Sequence, residues 1–312
     1  MSRPRTPLPR LRSAALAAVV ANVGIVFTGG IVRVTGSGLG CSDWPTCDGS
    51  SLVPTGEGEV AWHSYVEFGN RLLTFVLLAV GVWLWRRVRQ EAPERRDLKL
   101  LALSQTGGVF GQAILGGITV LTDLHPLAVA SHFLLSMVLL AAAVVLRSRV
   151  SDDAADHPDG AGRPLRMLVR ALPVSAAVVL VLGTVVTATG PHAGDADVAR
   201  WGGLDIRTAA FLHADAVWLL VGLSLATLLV AHVVQAEAIR RAAIVLLVVE
   251  VAQGAIGYGQ YALGIPAELV SMHLVGACLL WIAALRVPLA LAVPAADALD
   301  HATLDPVPAA TT

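Results

Sequence analysis

Charge is what this chain has least of. Only 14% of its 312 residues are Asp, Glu, Lys or Arg, against about 25% in ordinary soluble domains. Aromatic residues make up 5%, and cysteines number three. So few thiols exclude a disulfide-built scaffold and a four-thiolate metal centre. A formal net charge of −1 leaves no basic footprint for nucleic acid. What remains is apolar: 55% hydrophobic residues and a mean hydropathy of +0.70.

Eight apolar runs are long enough to cross a bilayer, which takes about 20 residues of helix. They lie near 13–34, 62–85, 98–121, 126–146, 167–189, 207–231, 240–263 and 267–290. In lipid a run must satisfy its own backbone groups, so each reads as a helix. The first run follows a basic start, but it is too long for a signal-peptide core and counts as a structural helix. Basic residues set the orientation. Of 22 Lys and Arg, 18 fall before the first run, after the last, or between runs two and three, four and five, or six and seven. Arg33, Arg200 and Arg207 are on the opposite side, and Arg71 is within a run. Both termini are therefore expected in the cytoplasm, with the bilayer of the cell membrane as the surrounding partner.

The chain contains one stretch twice. Val251–Trp281 shifted by 141 positions lies over Phe110–Leu140 without a gap. Gln253 falls on Gln112, Gly257 on Gly116 and His273 on His132. Upstream, His213 in AFLHADAVW stands over Asn70 in EFGNRLLTF, and TVVTATG (184–190) echoes GIVRVTG (30–36). The expected architecture is an all-α membrane protein of eight transmembrane helices in two duplicated four-helix bundles, at 10–147 and 167–290. The polar stretch 148–166, with His157, reads as a cytoplasmic linker, and 291–312, with His301, as a disordered tail.

The longest outer loop, roughly 35–61, carries TGSGLGCSDWPTCDGS. Cys41 and Cys47, six apart on the non-cytoplasmic side, read as a disulfide; a metal-ligand pair is the alternative, though no third or fourth ligand adjoins them. Cys278 lies alone in the last run and reads as packing.

Four polar side chains lie at matched depth. His132, His273, His213 and Asn70 each stand six to eight residues in from the outer end of an even-numbered run, about 10 Å along the helix. A histidine in a bilayer is costly and by default functional. Zinc would need more ligands than two facing imidazoles. A haem needs two axial ligands and an apolar slot, which fits His213 with His273. On the second run His63, Glu67 and Asn70 share one face. Glu67 reads equally as a structural partner of Arg71 or as an acid–base or charge-stabilising group beside a ligand. His125 and His192 sit in outer loops, where solvation is the simplest expectation and helix capping or contact with a haem propionate are the alternatives.

The segments GGIVRVTGSGLGCSDWPTC, VEFGNR and TGPHAGD, with the paired helix histidines, resemble the haem A synthase family over about residues 10–290. That resemblance implies an oxidoreductase that oxidises the C8 methyl of haem O to the formyl group of haem A, for cytochrome oxidase. It implies haem b on His213 and His273, and a haem O site near His132 with Asn70, His63 and Arg71. It further implies a catalytic Glu67, a Cys41–Cys47 disulfide, haem sites towards the outer leaflet, and partnership with haem O synthase and cytochrome oxidase assembly. The electron donor is unknown from sequence. The chain departs from the family's Glu-x-x-His at Glu67-Phe-Gly-Asn70, where a neutral amide is a poor iron ligand. Two other classes remain: a b-type dihistidine cytochrome that only passes electrons, and a porphyrin transporter, which discontinuous helices at mid-membrane would mark.

Overall fold

The computed structural model describes residues 8–55, 61–150, 162–192 and 203–291. Most of the expected linker with His157, the tail with His301, and Arg200 lie outside the described residues. Eight helices account for nearly all of the rest: α1 (Pro9–Val34), α2 (Ala61–Glu91), α3 (Arg96–Leu121), α4 (Pro126–Val150), α5 (Arg163–Thr189), α6 (Ile206–Val233), α7 (Glu237–Ala262) and α8 (Ala267–Leu289). Among the described residues there is no strand.

The ends follow local chemistry. Proline stands in the first turns of α1 and α5, where a missing N–H costs nothing. Asp205 caps α6, accepting from the Thr208 amide at 3.0 Å and the Thr208 hydroxyl at 2.6 Å. The α3–α4 and α7–α8 turns are built alike. Asp123 and Leu124 have φ of 48° and 54°, and Gly264 and Ile265 have 76° and 62°. Leu124 N–H donates to Thr119 O at 2.8 Å, and Ile265 N–H to Gln260 O at 2.7 Å. Every residue in one turn lies 141 positions from its counterpart in the other, the offset found in the sequence.

Each of α1 to α4 packs on the next, and α4 returns to α1; α5 to α8 repeat that circuit. One core joins Leu11, Leu84, Leu98 and Leu146 from α1–α4, another joins Leu172, Leu220, Leu246 and Val287 from α5–α8. Between them Val26, Met137, Leu140, Leu180 and Cys278 form a third cluster. Across it Trp281 Nε1–H donates to Met137 O at 2.9 Å, and Gly30 of α1 leaves room for Leu274 of α8. Cys278 is fully buried there, in the packing role expected.

Large apolar side chains face outward. Val233 is 77% and Phe75 69% exposed, an outer surface suited to lipid rather than water. Seven helices are long and apolar enough to cross a membrane, so the chain is a multi-pass membrane protein. The helix outside that set is α3, which carries Ser104, Gln105, Thr106, Gln112 and Thr119. Its glutamines bond inside the protein: Gln105 accepts from Asn22 and donates to Leu139 O, both at 2.9 Å.

Ile265 is β-branched in the left-handed region, which costs about 1–2 kcal/mol. Replacing it by Gly should raise the thermal unfolding midpoint in detergent. A lowered midpoint would mean that its packing outweighs the backbone strain.

Candidate functional site

The matched-depth histidines all meet the same local device. His213 of α6 lies against Gly183 of α5, where an added Cβ would come 3.4 Å from the imidazole Cε1. His132 of α4 lies in the same way against Gly116 of α3 at 3.4 Å, and His273 of α8 against Gly257 of α7 at 3.6 Å. Each ring thus faces a glycine of the preceding helix across a gap that a methyl group would fill in ordinary contact and a longer side chain would overfill. Gln112 donates to His132 O at 3.2 Å and Gln253 to His273 O at 3.0 Å. These bonds fix the histidine-bearing helices at the same register in both hairpins.

His213 and His273 face one another, with ring centroids 6.5 Å apart and planes at 71°. A metal bonded by both rings at about 2 Å would set the centroids about 6 Å apart. Nδ1 of His132, His213 and His273 is buried without a hydrogen-bond partner, so each imidazole keeps polar capacity that no described residue fills. Among the described residues no group of three or more His, Cys, Asp or Glu is placed to hold a metal ion. A zinc-type cage therefore has no donor set there, whereas a haem iron, which needs two, does.

Asn70 stands at the fourth position. Its Oδ1 accepts from Thr28 Oγ1 at 2.7 Å, which turns the amide nitrogen away from α1. Gly29, next to Thr28, stands over Gly183 in the echo of GIVRVTG by TVVTATG. A Cβ there would meet nothing within 4 Å. The glycine is present; the imidazole that would face it is not.

The loop residues 35–55 fold down onto the amino-terminal end of α2. Cys41 and Cys47 are bonded, S–S 2.02 Å. Glu67, 5% exposed, accepts from Cys41 N–H at 2.7 Å through Oε2, and from Arg71 Nε and Nη2 at 3.0 and 2.6 Å through Oε1. Arg71 also donates to Asp43 O at 3.1 Å and Thr46 O at 3.0 Å. Of the two readings open for Glu67, the structural pairing is therefore present, which does not remove the other. His63 bonds Ser37 Oγ through Nδ1 at 2.8 Å and lies beside Trp62. Gly40 passes so close to α2 that a Cβ would fall 2.5 Å from the His63 carbonyl carbon. The Trp44 indole lies on Gly117, adjacent to the glycine under His132.

Of the two loop histidines, His125 is exposed as expected and also caps the start of α4, whereas His192 is half-buried. His192 Nε2–H donates to Ile265 O at 2.8 Å, and His125 Nδ1 accepts from Leu127 N–H at 3.3 Å in the first turn of α4. Sequence reasoning missed Thr28, Trp44 and Gly183; Gly116 and Gly257 stood in the repeat, and Gly257 counted among the small residues of the slot without its place against His273. It also missed Glu250 of α7, whose Oε1 accepts from Ser224 at 2.7 Å while Oε2 is buried without a partner. The repeat gave no signal for Glu250, since Val109 stands 141 positions before it.

Comparison with known proteins bears on this arrangement. The model of a family described as cytochrome oxidase assembly protein matches residues 12–285. A heme A synthase of Lysinibacillus sphaericus is 35% identical over 137 residues, 42% of each chain. A heme A synthase of Bacillus licheniformis is 30% identical over 139 residues, 44% of each, and one of Alkalihalophilus pseudofirmus 26% over 147 residues, 45% of this chain and 47% of its own. The chain thus spans under half the length of these curated relatives in the aligned stretch.

Substituting Gly40 by Ala should push the loop off α2 and break the Cys41–Glu67 bond. The measurement is maleimide labelling. In the wild type Cys41 and Cys47 should stay unlabelled without reductant and Cys278 should label only on denaturation. In Gly40→Ala, limited proteolysis of the loop should speed up several-fold. A loop equally resistant in both proteins would contradict the close approach.

Proposed function

The chain belongs to the cytochrome oxidase assembly protein family, and we propose that within it the protein is a haem A synthase, oxidising the C8 methyl of haem O to a formyl group. The carrying observation is the 6.5 Å separation of the His213 and His273 rings, each backed by a glycine. We read the two helix circuits as four-helix halves related by duplication, with both termini cytoplasmic and the histidines towards the outer leaflet. The linker, cell-membrane location and tail follow the same reading.

In this proposal His213 and His273 would hold haem b, which would supply electron transfer. The substrate haem O binds between the other pair of positions, with His132 towards its iron and Asn70 opposite. Thr28 holds the Asn70 carbonyl oxygen, so its amide nitrogen is free to donate towards the ligand. One imidazole and one amide hold a porphyrin less firmly than two imidazoles, which suits a substrate that enters and a product that leaves. Converting the methyl to the formyl group by way of the alcohol is written R–CH3 + H2O → R–CHO + 4 H+ + 4 e−, with water bringing in the oxygen atom, the protons released to solvent and the electrons passed to an external redox partner. Both Glu67 oxygens already accept hydrogen bonds. That arrangement favours a fixed negative charge, stabilising positive charge that develops at the methyl carbon, over a mobile proton acceptor. His63 and Arg71 position this carboxylate and the loop above it.

The transporter reading is less well supported: the described helices run without breaks at mid-membrane, and Pro173 and Pro288 do not interrupt α5 and α8. The dihistidine cytochrome reading differs from the proposal in product. Cells supplying haem O should yield extractable haem A when they express this chain; a resident haem without haem A would favour the cytochrome.

Substitutions divide the halves. His213→Ala or His273→Ala should strip or convert the low-spin haem spectrum. His132→Ala should leave that spectrum and abolish haem A formation. Glu67→Gln sets an amide N–H against the donors of Cys41 or Arg71, so it should nearly abolish turnover while the resident haem is retained. Asn70→His, with Gly29 beside it, should add a second low-spin haem to the purified protein. A single unchanged haem in that variant would count against equivalence of the two halves.

A further inference from the structure

Arg33 lies at the outer end of α1, partly buried, and reaches across to the other half of the chain. Its Nη2 donates to Thr187 O at 3.1 Å and its Nε to His192 O at 2.5 Å. Thr187 belongs to the last turn of α5, and His192 follows it. The His192 imidazole ties on to Ile265, just before α8. Carbonyls at a helix end carry only partial negative charge. Among the described residues no carboxylate pairs with Arg33, and its Nη1 has no hydrogen-bond partner. A partly covered guanidinium with one nitrogen unpaired and no carboxylate beside it is open to an anion.

Its position says which anion would complete it. Thr187 is four residues after Gly183 on α5, one turn or about 6 Å outward, and Gly183 is the residue that the His213 ring faces. The guanidinium therefore stands at the outer rim of the His213–His273 site. The same offset that lays Gly183 over Gly29 lays Thr187 over Arg33, so the α5 counterpart is not an arginine and the device exists once.

We propose that Arg33 binds a carboxylate substituent of the porphyrin held between His213 and His273, so that a residue of the amino-terminal half anchors the cofactor of the carboxy-terminal half. This rests on the reading of those histidines as haem ligands. A fork of N–H donors suits a carboxylate. The phosphate of an outer-leaflet lipid offers similar oxygens, and the test separates the two.

The full chain, Arg33→Gln and His192→Ala are purified in mild detergent. Haem b per protein, the rate of haem loss, the midpoint potential and co-purifying phospholipid phosphorus are measured. Arg33→Gln should lose haem several-fold faster and show a lower midpoint potential, because a nearby cation favours the reduced iron. His192→Ala breaks the tie to Ile265 but keeps the guanidinium, so its potential should match the wild type. Wild-type retention and potential in Arg33→Gln would overturn the proposal. So would an equal shift in His192→Ala, or lost phosphorus with an unchanged haem. If Arg33→Gln does not accumulate, the wild-type chain made without haem is given haem or its dimethyl ester: weaker binding of the ester supports the proposal, and equal binding overturns it. A wild type that holds no haem at all overturns the site reading and the proposal together.

Discussion

An imidazole in a membrane-spanning helix must be given room and a partner, and this structure supplies the room in one repeated way. A small residue on the preceding helix leaves space for the ring, at Gly116, Gly183 and Gly257. Small residues open such space between helices in membranes generally. Nδ1 of each ring stays unpartnered. In the proposed function the ring takes its partner from a haem, so the cost of burying the imidazole is offset only when the ligand is bound.

The outer loop depends on a second constraint, the Glu67–Arg71 pair. A carboxylate near the membrane interface is tolerable when its bonds are filled, and here one side chain accepts from the loop backbone while its partner donates to it twice over. The disulfide ties Cys41 to Cys47 within the loop, but Glu67 and Arg71 tie the loop to α2. Trp44 on Gly117 then brings it to α3, next to the glycine beneath His132. In the proposed function the structural and chemical roles of Glu67 are not rivals, because the bonds that hold the loop also orient the carboxylate.

The two halves meet through apolar packing and a few directed bonds. Val26, Leu140, Leu180 and Cys278 exclude polar groups from the interface, while Trp281 and Arg33 cross it with N–H donors to main-chain carbonyls. Such bonds fix relative position without requiring a matched side chain opposite, so the interface can be asymmetric although the halves are similar.

The sequence by itself determined the helices, because apolar runs of bilayer length have no other way to satisfy their backbone. It also determined the repeat, since a Gln, a Gly and a His recurring at one offset are visible without coordinates, and the α3–α4 and α7–α8 turns follow that offset residue for residue. The ends were less legible: α2 continues to Glu91 and α4 to Val150, past the apolar runs, because arginines at helix ends extend into polar surroundings without breaking the helix. Only the tertiary structure decided what each polar residue bonds. Glu67 could have faced Arg71, a ligand or both, and i, i+4 spacing alone does not bring Cys41 to it from across a loop. The Thr28–Asn70 bond, the indole on Gly117 and the reach of Arg33 to α5 join residues far apart in the chain, and a contact of that kind is set by how helices pack rather than by any local pattern.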